Sequence, residues 1–430
     1  MKIVAFLPAK GTSSRIKSKN MALLDCKPLF LHTLEKLCSC DFIDEVYLDS
    51  ESDEVLKYAP FLNYIPLKRD PALADNKTDG HQMFFNEVRQ VEADIYIQIL
   101  CTSPFIEVST IKKGVDALLK NPQYDSAVLV KKEKQYLWDG IQPLYNKEHI
   151  PNSVDLPDTI IETMGLYIVR KDCALSRMKR YGDKCFLLEA SPLEAVDINT
   201  PEDFTLANYI AGGIRASENA RYKQLSTFLS TPIIADILDG LKINGIITGI
   251  QPNFPCKIMG RANTLKIRKI KDGKNYKGIY NALATYEKIG QGEIIIVENE
   301  TPNRAYFGEL NANLAIRSGA IGAIIGGVTR DADEVIKLGL PVFSSGYCCA
   351  DVRGVAVMDN HNMPVNINGV RVEPYDLIFA DRNGVAVIPK KNEKQVIELA
   401  LETVKKEKSI LDRVLLKENA FSIYESEGEF

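Results

Sequence analysis

The stretch KIVAFLPAKGTSSRIKSKN, residues 2–20, sets the reading of the N-terminal half. A short apolar run ends in a loop of small residues that carries Lys10, Arg15, Lys17 and Lys19 and no acid. PLFLHTLEKLC, residues 28–38, follows with the spacing of an amphipathic helix. A strand that opens into such a loop and then a helix presents backbone N–H groups in a phosphate-sized nest. The flanking cations can neutralise a triphosphate.

Working outward, EVYLD, DIYIQIL, SAVLV and GLYIV read as further strands, and STIKKGVDALLK as a covering helix. The alternation predicts an α/β unit with a mainly parallel sheet, whose ligands bind at the carboxyl ends of its strands. NTPEDFTLANYIAGG carries a helix start: Thr200 as N-cap, Pro201 in the first turn, then Glu202 and Asp203. Gly212 and Gly213 predict a break, and IRASENARYKQL a polar connector. The expected division is 1–212, a linker at 213–225, and a second unit at 226–430. That second unit is richer in glycine and β-branched runs such as GEIIIVE, GAIGAIIGG and GVAVMD, and it closes with a charged amphipathic helix from about 392 to 415.

Composition narrows the function. The 430 residues suit two or three domains, and a formal net charge of −4 gives no basic field for nucleic acid. No apolar run approaches the roughly 18 residues of a membrane span, and the apolar part of the opening residues is too short for a signal peptide. The nine cysteines form no C-x-x-C pair and do not cluster with the four histidines, which argues for reduced thiols and against zinc. The expectation is a cytoplasmic protein with neither nucleic-acid nor membrane partners.

LPAKGTSSRIKSKNMALLDCKPLF resembles the signature loop of the cytidylyltransferases that activate acylneuraminate and 3-deoxy-manno-octulosonate with CTP. Pro8, Ala9, Ser13, Arg15, Lys19, Lys27, Pro28 and Leu29 fall in register with P-A-R-x-x-S-x-x-x-x-x-K and G-K-P-L. The likeness continues over about 1–210 through YLDSESDEVLKYA, RDPALADN, CTSPFI, GLYIVRKD and EAVDINTPEDF. It implies a Rossmann-like nucleotidyltransferase sheet with CTP over the opening loop. Lys10, Arg15 and Lys19 would then meet the phosphates. Pro8, Ala9, Gly11, Ser13, Asn20, Arg69, Thr102 and Ser103 would line the nucleotide site, and Asp197 and Asn199 would hold Mg2+ or Mn2+. Lys10 stands where the family has Arg and loses the planar fork. Leu100 and Ile106 stand where the sialate enzymes carry Gln and Arg, so the acceptor sugar acid need not be a sialic acid. Asn199 replaces the second Asp of I-D-I-D, removing one charge from the metal site.

FGELNANLAIRSGAIGAIIGGVTRDADEVIKLGLPVF, residues 307–343, carries the second chemistry. Glu309 opens a helix that Gly319 ends, a buried strand follows, and Arg330 and Asp331 lie just past it. In a strand–helix–strand crossover the helix start and the end of the next strand share one sheet edge. Glu309, the N–H groups of Leu310 and Asn311, Arg330 and Asp331 should therefore converge into a site for a small 2-oxo acid and a divalent ion. With LGLPVFSSG and DLIFADRNGVAVIP, the segment resembles the 4-hydroxy-4-methyl-2-oxoglutarate aldolases and the RraA-like ribonuclease E regulators over about 226–390. The resemblance implies a layered β/β/α swivelling domain, with Asp331 anchoring the metal.

Together the two likenesses imply a bifunctional enzyme: CMP transfer from CTP to a 2-keto-3-deoxy sugar acid, and metal-dependent aldol or decarboxylase chemistry on a pyruvate-like 2-oxo acid. They imply a homo-oligomer, dimeric through the first domain and trimeric or hexameric through the second. The alternative keeps the transferase and makes the RraA-like half a non-catalytic oligomerisation or regulatory module.

Overall fold

A computed structural model describes residues 1–13, 15–75, 77–270 and 276–428. Ser14 of the opening loop and Asn76 of RDPALADN lie outside the described residues. The chain divides into two compact units, Met1–Ala211 and Gly212–Phe430.

The main sheet of the first unit is built from β1 (Ile3–Pro8), β2 (Glu45–Ser50), β3 (Ile65–Lys68), β4 (Ile95–Ile99), β5 (Ser126–Glu133), β6 (Thr159–Arg170) and β7 (Cys185–Glu189). They form one sheet in the order β3-β2-β1-β4-β6-β5-β7. β1 is parallel to β2 and β4, while β6 pairs antiparallel with β4 and β5 and alone runs against the rest. All six residues of β1 are buried because both of its faces are covered. Ala5 and Leu7 pack with Phe30 and Leu34 of helix α1 (Leu29–Cys38). Val4 and Phe6 pack with Phe84 and Val88 of α2 (Gly80–Val88) on the other side. Such a strand reads as continuous apolar sequence, as residues 3–8 do. Helix α3 (Val108–Lys120) buries Ile111, Val115 and Leu118 at helical spacing against the α1 side.

Helix α4 (Pro201–Phe228) starts as its sequence dictates. The Asp203 N–H donates to Thr200 Oγ1 at 3.2 Å, and the Thr200 N–H donates to Asp203 Oδ2 at 2.8 Å. The expected break at Gly212–Gly213 does not occur: α4 runs through both glycines, and residues 213–225 are helical. A glycine in a helix costs only about 1 kcal/mol relative to Ala. Beyond it Tyr222 and Leu225 enter a core with Met259, Phe379 and Val396. Glu218 pairs with Arg261 at 2.5 Å, and Arg215 pairs with Glu293 at 2.9 Å.

The second unit is built around the twelve-residue strand β8 (Ile258–Lys269). β9 (Ile294–Asn299), β10 (Gly322–Gly326) and β11 (Val342–Ser344) follow it in parallel order. β12 (Ala356–His361) and β13 (Leu377–Asp381) pair with β8 antiparallel, and β13 forms a hairpin with β14 (Gly384–Ile388). On β10, Ala323 and Ile325 pack with Ala312 and Ala315 of helix α5 (Glu309–Ser318). Ile324 turns the other way, into a cluster with Val365, Ile367, Val385 and Val387. Helix α6 (Ala332–Lys337) follows β10, and α7 (Glu393–Leu415) is the charged amphipathic helix near the end of the chain.

Gly213 is exposed, with no atom near the position of an added Cβ. Gly213→Ala should therefore raise stability by about 0.8–1 kcal/mol, the helix-propensity difference. Urea unfolding would measure it, and a destabilised variant would restore the predicted break.

Candidate active sites

In the first unit, a cleft of about 200 Å3 opens at the carboxyl ends of β1 and β4. Of the residues singled out in the sequence, Pro8, Lys10, Ser13 and Arg15 line it from the opening loop, as do Lys19 and Asn20. Arg69 and Thr102 also line it. Gly11 is held behind the loop, where its N–H donates to Glu51 Oε1 at 2.8 Å. A Cβ there would come within 2.5 Å of Ser52 Cβ, so the tight packing requires glycine. Ala9 and Ser103 are buried supports that do not reach the cleft. Ile106, expected near the acceptor, is a core residue, whereas Leu100 does line the cleft.

Charge dominates this cleft. Lys10 Nζ donates to the Asp75 carbonyl at 2.7 Å, and Lys19 Nζ to the Ile198 carbonyl at 2.9 Å. Among the described residues neither lysine, nor the exposed Arg15, has a carboxylate in salt-bridge contact. Burial lowers the pKa of Lys10 and the charge of Arg69 lowers it further; burial and then Arg15 do the same to Lys19. Cations crowded in this way favour a polyanion between them.

Arg69 is the exception, and sequence reasoning missed its surroundings. It is 1% exposed and clamps Asp49, with Nε at 3.1 and 3.0 Å from the two carboxylate oxygens and Nη2 at 2.7 Å from Oδ2. Its Nη1 is buried and has no hydrogen-bond partner among the described residues. Cys101 also lines the cleft, its thiol donating to the Pro8 carbonyl at 3.2 Å and pushed up to about 12 by burial. It is inert at neutral pH.

The expected metal residues lie beside the cleft. Lys19 reaches this segment at Ile198, whose N–H donates to the Thr102 carbonyl at 2.9 Å. The Asn199 side-chain amide donates to Asp197 Oδ2, so the two groups meet. One carboxylate and one amide are a sparse set by themselves, but Mg2+ is commonly held by one or two carboxylates together with substrate phosphates. The residues fit a metal that arrives with a nucleotide. Among the described residues, no three His, Cys, Asp or Glu side chains gather into a metal cluster.

In the second unit a cavity of about 860 Å3 is lined by Gly308, Leu310 and Asn311 at the start of α5, and by Arg330 and Asp331 beyond β10. The crossover brings them together as expected: the Glu309 N–H donates to Asp331 Oδ2 at 3.1 Å. Gly308 leaves room for this approach, since a Cβ there would lie 2.4 Å from Asp331 Oδ2. Asp331 sits at the N-cap of α6 in the left-handed region, φ 54° and ψ 44°, yet its side chain does not cap that helix. An unusual backbone that turns a carboxylate toward a cavity is a mark of a functional position. Glu309 contributes its N–H, while its side chain is exposed and does not line the cavity. The second acid is Asp351, which the sequence did not single out: its Oδ2 lies 2.6 Å from Arg330 Nη1, and Arg330 Nε lies 3.5 Å from Asp331 Oδ2. The apolar wall is Tyr280, Leu283, Tyr306 and Leu314.

A family profile described as cytidylyltransferase matches residues 4–138, and one described as aldolase/RraA matches residues 231–387. The two profiles match different parts of the chain, one in each compact unit. The first unit is similar to the pseudaminic acid cytidylyltransferase of Campylobacter jejuni, 30% identical over 129 residues, 28% of this chain and 55% of that protein. The second unit is similar to a protein of Halalkalibacterium halodurans provisionally named 4-hydroxy-4-methyl-2-oxoglutarate aldolase, 28% identical over 193 residues, 44% of this chain and 87% of that one. Protein DlpA of Legionella pneumophila is 31% identical over 166 residues, 38% of this chain, and the chain spans only 27% of its length. All nine cysteines are free thiols, and among the described residues no helix is long and apolar enough to cross a membrane.

Removing one partner of a fully buried ion pair strands the other charge. Arg69→Met should cost about 3–5 kcal/mol in chemical denaturation, and adding Asp49→Asn should recover part of that loss. Equal losses in the single and double variants would mean that the pair is not the source.

Proposed function

We propose that the first unit transfers CMP from CTP to a sugar acid. The carrying observation is the set of Lys10, Arg15 and Lys19 around one cleft, without carboxylate partners among the described residues, beside a guanidinium with a buried nitrogen that no described residue engages. The triphosphate neutralises those cations. An acceptor hydroxyl attacks the α-phosphate, a new O–P bond forms, the bond to the β-phosphate breaks, and pyrophosphate leaves. The protein contributes positioning and charge stabilisation more than covalent chemistry. Asp197 and Asn199 are the residues that would hold Mg2+ or Mn2+, which supplies further charge neutralisation at the phosphates when bound. Leu100 gives the acceptor side of the cleft an apolar surface, which suits a sugar acid that offers no polar group there.

We infer that the second unit is a layered β/β/α swivelling domain acting on a pyruvate-type 2-oxo acid. A carboxylate would sit at the start of α5, at the N–H groups of Leu310 and Asn311 beside the Glu309 N–H that Asp331 occupies, and Arg330 would meet the negative charge developing on the enolate oxygen. Asp331 and Asp351 supply two carboxylates for a divalent ion, which when bound would polarise the keto group. Condensation of pyruvate with an aldehyde gives a 3-deoxy-2-keto acid, the class of acceptor proposed for the first unit. The rival reading, a non-catalytic assembly or regulatory module, has its own support in Leu310, 76% exposed at the cavity rim beside the half-exposed Tyr280 and Leu283. Both readings fit a cytoplasmic homo-oligomer, dimeric through the first unit and trimeric or hexameric through the second.

Arg15→Ala should remove about 2–4 kcal/mol of transition-state stabilisation, read as loss of pyrophosphate release with CTP and a panel of 2-keto-3-deoxy acids. Stability should hardly move, because an exposed cation contributes little to folding. Unchanged turnover would sink the assignment of the loop. For the second unit, the intact protein with Mg2+ or Mn2+ should exchange deuterium into the pyruvate methyl group and decarboxylate oxaloacetate, and Asp331→Ala should abolish both. CMP transfer without either reaction would establish the assembly module instead.

A further inference from the structure

Behind the first cleft Arg69 belongs to a group of four side chains, and the scheme above leaves the other three idle. Asp49 comes from β2, Arg69 from the loop after β3, Glu87 from α2 and Gln98 from β4. Asp49, Glu87 and Gln98 are fully buried and Arg69 nearly so. Gln98 Nε2 donates to Glu87 Oε2, and Arg69 holds Asp49 through Nε and Nη2. Among the described residues, Glu87 Oε1 and Arg69 Nη1 have no hydrogen-bond partner.

The charges do not balance if both acids are ionised. Two carboxylates against one guanidinium would leave a net negative charge out of water, which costs far more than taking up a proton. A proton on Glu87 removes the excess and turns a repelling neighbour of Asp49 into a donor. We propose that Glu87 is a positioning residue for nucleotide binding: as the neutral acid it donates to Asp49 and fixes that carboxylate on the Nε and Nη2 edge of Arg69, leaving Nη1 as the edge the nucleotide uses. The proposal rests on the reading of the cleft as a CTP site.

The electrostatics agree with this geometry. Burial raises the Glu87 carboxyl well above the ordinary carboxylate range and Asp49 raises it further, while Arg69 and the Gln98 amide pull the other way. Beyond them, Arg69 also faces Glu51 and Lys10. An acid raised by folding binds its proton more tightly in the native state. The resulting stability is present at low pH and is lost as pH rises through the folded-state value.

The test uses the full chain with Glu87→Gln and Glu87→Ala. Infrared difference spectra at neutral pH should show a protonated carboxyl band that the Gln variant lacks. The Gln variant should keep KM for CTP within about twofold, while the Ala variant should raise it about tenfold with a smaller change in kcat. Raising the pH should increase the wild-type KM and lower its unfolding midpoint relative to the Gln variant. A Gln variant as impaired as the Ala variant, or an unchanged infrared band, would overturn the proposal. Should the Ala variant fail to fold, the comparison of wild type with Gln decides alone. A wild type that binds no CTP would overturn the reading of the cleft and with it the positioning role, while the band would still report the proton on Glu87.

Discussion

A guanidinium with almost no exposed surface is tolerable only where a carboxylate meets it with good geometry. Arg69 and Asp49 meet that condition at the carboxyl edge of the first sheet, and the cleft is organised around them. The pair fixes where a cation can stand without collapsing into the core. Burial lowers the pKa of Lys10 and the charge of Arg69 lowers it further, so an anion in the cleft relieves that crowding. Backbone carbonyls of Asp75 and Ile198 then hold the two lysines without cancelling their charge. A carboxylate in either place would have made a stable surface bridge and a poor anion site.

The second unit solves a related problem differently. Its Arg330 is partly exposed and is flanked by two aspartates, and Arg317 and Arg353 line the same cavity, so the charges there are mixed. The two sites thus lie at equivalent places in their own sheets, the edge where strands give way to helix starts, and differ in how their charges are paired.

Elements were legible where local rules govern them. The β1 strand, α1 and the start of α4 follow from apolar runs, helical spacing and the Thr200–Asp203 cap. The meeting of Asp331 with the start of α5 followed from crossover handedness. What escaped was set by distant packing. Gly212 and Gly213 look like a stop because their cost is local, whereas Tyr222, Leu225 and the ion pairs of Glu218 and Arg215 that offset it lie further along the helix. Asp49, Glu87 and Gln98 each look ordinary in sequence, and only the sheet brings them behind Arg69. Ile106 was expected near the acceptor from the family likeness, yet it belongs to the core. Asp351 replaced Glu309 as the second acid because a helix's first side chain can face solvent while its N–H faces the site.

The different depths of the two kinds of cation in the first cleft give them different responses to salt. At physiological ionic strength the screening length is about 8 Å, so the pull of Arg15 and its neighbours on an approaching anion fades as electrolyte is added. Arg69 and Asp49, sealed from solvent, hold the same geometry in dilute and concentrated buffer. Ionic strength therefore acts on capture and leaves the architecture alone.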